Sequence, residues 1–300
     1  MATTDHPAAA PAYHWRSPWL GERRSVELNV GRLEYFDRGA GPVLVFAHGW
    51  LANANLWRKV VDRLADRFRC IALDLPLGSH RVAVRADADL SPTGCGELIA
   101  EAIAVLDLGA VTLIGNDSGG AYSQIATAAH PQRIARLVLN SCETPYDTFP
   151  PPPFDGLPAL ARDPEALGRV LAALRDREIR STPAAYGHLI KHAIDDLVSD
   201  SYALPCSSDP DILRDTSKVM AAAASDPVHD AGQRLISTFD RPVLFVWGVE
   251  DQVFPLAHAQ RYAGELAKGQ LTAISDAFSF TPEDQPLRLA RALAQFCTGS

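Results

Sequence analysis

A reactive carboxylate is predicted at Asp117. The segment at residues 115–120, GNDSGG, follows an apolar run and precedes an Ala-rich helical stretch. Small residues two positions before and after a reactive side chain permit the strained strand-to-helix turn of a nucleophile elbow. Gly115 and Gly119 hold those positions, so the reactive residue is Asp117, and Ser118 comes one place too late. A carboxylate there attacks carbon and forms an alkyl ester. The alternative is a tight turn in which Asp117 only caps a helix.

A second motif lies upstream of this turn. Residues 43–47 form an apolar run of the kind found in buried strands and lead directly into His48-Gly49-Trp50. One further strand, at residues 70–75, and one helix, at about residues 94–108, separate the two motifs. This order resembles that of the α/β-hydrolase superfamily. The Asp elbow resembles the haloalkane dehalogenase and epoxide hydrolase branch, and the resemblance extends from about Ser25 to Phe296.

The pattern of elements agrees with that resemblance. Strands and helices alternate from residue 43 onward, as in a mostly parallel sheet covered on both faces. After the sixth strand comes a proline-rich stretch, and from about residue 159 to 236 the apolar residues recur with helical spacing. We therefore expect an α/β fold with an eight-stranded sheet and a helical cap inserted after the sixth strand. The predicted boundaries are an N-terminal arm at 1–24, a core at 25–142 and 237–300, and a cap at 143–236.

The resemblance implies a catalytic acid and a histidine that serves as the base. Asp251, just past the seventh strand, matches the position of the acid, and Glu143, soon after the sixth strand, is the other position that relatives use. The base position, aligned through Phe280 and Pro286, holds Ser279. A serine hydroxyl near neutral pH cannot accept a proton as imidazole does. An ester on Asp117 would therefore clear slowly unless another group acts as the base.

Several other histidines could replace this base. His80 follows the fourth strand, in a loop that borders the active-site mouth in this fold, and is the predicted substitute. His258 is expected to be a solvated helix-face residue. His188 and His192 are spaced i, i+4 and could meet on one face, but no third ligand is evident, so no metal site is expected.

Residues for leaving-group and substrate contacts follow from the same resemblance. The backbone amides of Trp50 and Ser118 would form the oxyanion hole, and the Trp50 indole could bind a leaving group. Dehalogenases usually carry a Trp directly after the nucleophile, where this chain has Ser118. Epoxide hydrolases place cap tyrosines to protonate the opening oxygen, and Tyr186 is the best candidate here. The remaining residues predicted to line an apolar substrate pocket are Tyr146, Phe149, Phe154 and Ser279.

Composition excludes several classes of partner. A net charge of −8 argues against nucleic-acid binding. The five cysteines are scattered without metal-site spacing, and no cofactor is expected. No apolar stretch is long enough to span a membrane, and the N-terminus lacks a signal-peptide pattern. We expect a cytoplasmic monomer or homodimer that acts on a small-molecule substrate.

Three functions fit these features. The first is a dehalogenase-like or epoxide hydrolase-like enzyme that acts on a small-to-medium apolar substrate through an ester on Asp117. The second is a lyase, cyclase or isomerase in which Asp117 is a general acid or base, which the missing histidine favours. The third is a catalytically silent ligand-binding protein, which would have no need of Asp117.

Overall fold

A single eight-stranded sheet organises the chain. The computed structural model describes residues 11–299, and the first ten residues of the predicted arm lie outside them. The strands are β1 (Glu22–Leu28), β2 (Gly31–Arg38), β3 (Val43–Ala47), β4 (Arg69–Leu73), β5 (Val111–Asn116), β6 (Ile134–Asn140), β7 (Val243–Gly248) and β8 (Gly269–Ile274). Their order is β1-β2-β4-β3-β5-β6-β7-β8. The predicted fold class is confirmed.

The direction of the strands places several strand ends together. β1 and β2 pair antiparallel, as do β2 and β4, and every later pair in the order is parallel. β5 and β7 are buried along their whole length, because helices cover both faces of a parallel sheet. The carboxyl ends of β3, β5, β6 and β7 therefore meet at one edge, where ligands bind in open α/β sheets.

Helices fill the connections. They are α1 (Arg58–Leu64), α2 (Pro92–Val105), α3 (Ser118–Ala129), α4 (Leu157–Ala161), α5 (Pro164–Ala172), α6 (Arg177–Arg180), α7 (Asp196–Ala203), α8 (Pro205–Ser208), α9 (Pro210–Ala221), α10 (Ser225–Thr238), α11 (Leu256–Glu265), α12 (Thr281–Asp284) and α13 (Pro286–Thr298). Between β6 and β7 the structure contains helices and loops but no strand. α10 packs against α3, so the end of this insertion lies on the core, inside the range predicted as cap.

The described part of the arm is anchored to the core. It forms two short 3-10 turns, Ala12–His14 and Pro18–Leu20, before β1 begins. Arg16 makes a buried ion pair with Asp74, with its Nη2 2.9 Å from Oδ2. This pair joins the described part of the arm to the loop that follows β4.

Asparagine side chains join the carboxyl ends of three strands. Asn116 Nδ2 donates to the backbone oxygens of Asn140 and Ser279, both at 2.9 Å. Asn140 Nδ2 donates to Val246 O at 2.8 Å and to Thr281 Oγ1 at 2.7 Å. These bonds fix the loop that carries Ser279 against the end of β5, directly beside Asp117.

Across residues 11–299, none of the helices combines the length and the apolar character needed to cross a membrane.

Candidate active site

Asp117 occupies a strained turn between β5 and α3. Its φ is 55° and its ψ is −142°, a backbone conformation that is rare for a residue with a side chain. A Cβ on Gly115 would lie 2.6 Å from Gly120 Cα and 2.6 Å from Ser123 Oγ. The turn therefore requires glycine at 115, and it presents the Asp117 side chain at the sheet edge as the elbow pattern predicts.

The end of β3 approaches this carboxylate closely. A Cβ on Gly49 would lie 2.6 Å from Asp117 Cβ and 2.7 Å from Asp117 Cγ, so only glycine leaves room for the carboxylate. The adjacent His48 is fully buried. Its Nδ1 donates to Gly49 O at 2.9 Å, and its Nε2 accepts from Leu75 N–H at 2.8 Å. Both ring nitrogens are used, so His48 positions the loop and cannot act as a base.

A backbone amide holds one oxygen of the carboxylate, and a second amide lies next to it. Ser118 N–H donates to Asp117 Oδ1 at 2.5 Å. Trp50 N–H donates to Ser118 Oγ at 2.8 Å, which places both predicted oxyanion-hole amides beside Asp117. Donors in this arrangement stabilise negative charge that develops on the carboxyl oxygen.

Burial changes the acidity of Asp117. Removal from water raises its pKa to about 6, with a further contribution from the charge of Asp251, while the hydrogen bonds from Ser118 oppose the rise. Asp117 is therefore mostly ionised at neutral pH but poorly solvated, which favours nucleophilic attack.

A small cavity of about 60 Å³ opens at Asp117. Besides Asp117, it is lined by Trp50, Ser118, Tyr122, Glu143, Phe149, Pro150, Pro151, Phe154, Leu189, Val219, Met220, Ala223 and Phe254. A second, mainly apolar cavity of about 550 Å³ adjoins it, and Trp50, Phe154 and Leu189 line both. Trp50 Nε1 is buried and has no hydrogen-bond partner among the described residues. The two cavities together form a mainly apolar space with the Asp117 carboxylate in the wall of the smaller one.

Asp251 and Ser279 lie together as the sequence alignment implies. Ser279 is fully buried, and its Oγ donates to Asp251 Oδ1 at 2.7 Å. The same oxygen accepts from the backbone N–H groups of Val253 and Phe254, both at 2.9 Å. Asp251 Oδ2 is buried without a partner among the described residues. Burial raises the pKa of Asp251. The serine hydroxyl is thus the side-chain donor that binds the Asp251 carboxylate.

Glu143 reaches the cavity that contains Asp117. The residue is 2% exposed, and its Oε2 has no hydrogen-bond partner among the described residues. Burial and the charge of Asp117 raise the pKa of Glu143 well above its usual range. The sequence proposed Glu143 only as an alternative acid to Asp251, with no role inside the pocket.

The structure places His80 away from this cavity, contrary to expectation. Its Nε2 lies 3.2 Å from Asp215 Oδ2, and its Nδ1 accepts from Gly78 N–H at 3.3 Å. The loop after β4 turns toward α9, where the His80 ring is hydrogen-bonded to the buried Asp215. His80 therefore cannot supply the missing base in this arrangement.

The remaining histidines named in the sequence also lie elsewhere. His258 Nδ1 binds Asp147 Oδ1 at 2.7 Å on the partly exposed face of α11. His188 lines the larger cavity, whereas His192 lies at the surface with Nε2 3.1 Å from Asp276 Oδ2. Residues 11–299 contain no cluster of three or more potential metal ligands.

The predicted pocket aromatics divide into two groups. Phe149 and Phe154 line the small cavity. Tyr146, in contrast, donates its hydroxyl to Glu265 and carries Arg261 stacked 3.9 Å from its ring centroid. Tyr146 thus lies against α11, outside both cavities, because these charged partners hold it there.

Tyr186, the proton donor predicted from the cap, lies in the larger cavity and not in the one around Asp117. Its hydroxyl donates to Leu51 O at 2.8 Å. Tyr122, which sequence reasoning missed, lines the small cavity instead. Its spacing of four residues from Ser118 puts both side chains on one face of α3, a signal that the sequence contained.

Comparisons with known proteins agree with this architecture. A family model described as the alpha/beta hydrolase fold matches residues 42–286. The chain belongs to the α/β-hydrolase fold family.

The individual proteins similar to this chain include a dehalogenase. Haloalkane dehalogenase 2 of Mycobacterium tuberculosis is 26% identical over 94% of this chain and 95% of its own length. An alpha/beta hydrolase fold protein from Burkholderia ambifaria has a TM-score of 0.76 at 23% identity, covering 90% of this chain and 96% of that one. An epoxide hydrolase structure has a TM-score of 0.73 at 18% identity, covering 92% and 98%. At these identities the structural likenesses establish the fold.

Proposed function

We propose that this protein is an enzyme that attacks carbon with Asp117 and forms an alkyl-ester intermediate on a small-to-medium apolar substrate. The observation that carries the proposal is that only one oxygen of the Asp117 carboxylate is held by a backbone amide. Ser118 N–H holds Oδ1, which leaves Oδ2 to attack a group in the cavity. The same amide would stabilise charge on Oδ1 when water later attacks the ester.

The surroundings of Asp117 support carbon as the target. The cavity is lined mainly by aromatic and aliphatic side chains, which suit an alkyl group and leave the attacking carboxylate poorly solvated. Similarity to a haloalkane dehalogenase over nearly the full chain favours the same reaction type.

A second function is favoured by Ser279. Since this serine binds Asp251 in place of a histidine, an isomerase, lyase or cyclase that uses Asp117 only as acid or base would need no hydrolytic water. Such an enzyme would form no covalent bond to Asp117. The third possibility, a binding protein without catalysis, would not form one either.

Intact-protein mass spectrometry tests the proposal. The purified protein is mixed with 1-bromohexane or 1,2-epoxyhexane, and the mass gain is mapped by peptide analysis. We expect an adduct on Asp117 that Asp117→Asn abolishes, because an amide is a poor nucleophile at carbon. His80→Gln is the control outside the cavity. Its rate of adduct formation should stay within about threefold of the original, because loss of a proton-transfer group would lower the rate by about 10²-fold and His80 does not line the cavity. An adduct on Ser118, or none on Asp117, would refute the proposal.

A further inference from the structure

Glu143 is a buried acid that structural roles do not explain. Its side chain follows β6, is 2% exposed, and makes no side-chain hydrogen bond to the described residues through Oε2. Its backbone oxygen accepts from Gln124 Nε2 at 2.7 Å. An ionised carboxylate is costly in such a place, which favours the protonated form of Glu143, the form that has a hydrogen to donate.

Asp117 and Glu143 line the same cavity but differ in their hydrogen bonding. Ser118 N–H donates to the Asp117 carboxylate, whereas Glu143 Oε2 has no donor among the described residues. Burial raises the pKa of both groups, to about 6 for Asp117 and well above the usual range for Glu143, to which the charge of Asp117 also contributes. Environments that separate two acids in this way assign one as the nucleophile and the other as the proton donor.

Other candidates for proton transfer are engaged elsewhere. Asp251 Oδ1 accepts three hydrogen bonds, and Asp251 does not line the cavity. Among the described residues, no histidine lines the cavity around Asp117. Glu143 is therefore the carboxylic acid placed to exchange a proton with a molecule bound against Asp117.

We propose that Glu143 is the proton-transfer residue of this site, acting in place of the missing histidine, and that the substrate is an oxirane rather than an alkyl halide. The inference rests on the proposed attack by Asp117. Asp117 Oδ2 forms a bond to a ring carbon, the ring C–O bond breaks, and the oxygen takes the proton of Glu143. Glu143, now a carboxylate, removes a proton from water as that water attacks the Asp117 carbonyl carbon. The ester bond then breaks, which releases a diol and regenerates Asp117 as carboxylate and Glu143 as acid.

The chemistry of the leaving group decides between the two substrate classes. A halide departs as a stable anion and needs no proton, so a protonated Glu143 contributes nothing to its departure. An oxirane oxygen departs as a basic alkoxide, and a positioned acid accelerates that step. After a halide leaves, Glu143 still holds its proton and cannot activate water, so the ester should persist.

Two probes and two variants test this inference. With 1,2-epoxyhexane, the original protein should form and clear an Asp117 ester, whereas with 1-bromohexane it should form an ester that remains. Glu143→Gln keeps the shape of the side chain but cannot transfer its proton. It should lower the rate of ester formation from the epoxide by about 10²-fold relative to that from the bromide. Glu143→Asp, which retains an acid, should recover part of this ratio.

The outcomes separate this inference from the proposed function. If neither probe modifies Asp117 in the original protein, the proposed function fails and the inference fails with it. If the epoxide ester forms and clears in Glu143→Gln within about threefold of the original rates, Asp117 remains the nucleophile and the role of Glu143 is refuted. An equal loss with both probes also refutes it, because a proton donor affects only the oxygen leaving group. In the original protein, epoxide opening should slow at high pH as Glu143 ionises, and bromide alkylation should not.

Discussion

At the scale of single residues, the contact between Ser279 and Asp251 has the clearest chemical consequence. The Ser279 hydroxyl is 2.7 Å from Asp251 Oδ1, so a larger side chain at 279 would point toward the same carboxylate. Asp251 Oδ2, buried and without a partner among the described residues, is then available to orient an imidazole. A histidine introduced at 279 is therefore placed to pair with Asp251.

Ser279→His should speed hydrolysis of the trapped bromide-derived ester while leaving its formation nearly unchanged, because only the second half-reaction needs a base. The gain should reach about 10²-fold if the ring binds Asp251. Because Ser279 is fully buried, the larger side chain should also cost about 1–3 kcal/mol of stability. Mass spectrometry of ester decay measures the rate, and Ser279→Ala is the matched control. Equal decay in both variants would show that position 279 cannot reach the attacking water.

At the scale of elements, the end of β3 limits where the elbow can place its side chain. Gly49→Ala would put a Cβ 2.6 Å from Asp117 Cβ, so the two loops must separate. We expect a loss of about 1–3 kcal/mol in the free energy of unfolding. Displacement of the carboxylate should also reduce ester formation at least tenfold, on the order expected for misplaced reacting groups.

The matched control for this prediction is Gly264→Ala in α11. No heavy atom lies within 4 Å of a Cβ built at Gly264, and alanine in a helix is about 0.5–1 kcal/mol more favourable than glycine. That variant should be unchanged or slightly more stable and should alkylate normally. If Gly49→Ala is as stable as the original and alkylates at the same rate, the close approach of the end of β3 to Asp117 does not affect the reaction.

At the scale of the whole molecule, the reactive carboxylate opposes folding at neutral pH. Because the folded-state pKa of Asp117 is about 6 against an ordinary value of 3.8, the folded state binds more protons than the unfolded state between these values. The contribution of Asp117 to the free energy of unfolding therefore falls as the pH rises from about 4 to 6 and stays constant above about pH 6.

Asp117→Asn, which mimics the neutral form, should exceed the original in stability by no more than about 3 kcal/mol at pH 7, since one pKa unit is about 1.4 kcal/mol. The difference should shrink toward zero near pH 3.5. Urea unfolding at several pH values measures it, and a difference that is independent of pH would contradict burial of an ionised Asp117.

Local patterns in the sequence were sufficient to predict the fold class and the approximate positions of the strands. Alternating buried strands and helices, the elbow glycines around Asp117 and the serine at 279 are all features of short segments. Their positions at one sheet edge follow from parallel topology. The tertiary structure decided which partners those side chains meet: Asp215 on α9 binds His80, Glu265 binds Tyr146, and Glu143 lines the same cavity as Asp117, with no donor to its Oε2 among the described residues. Hydrogen-bond partners and desolvation depend on segments far apart in the chain, so spacing along the sequence could not predict them.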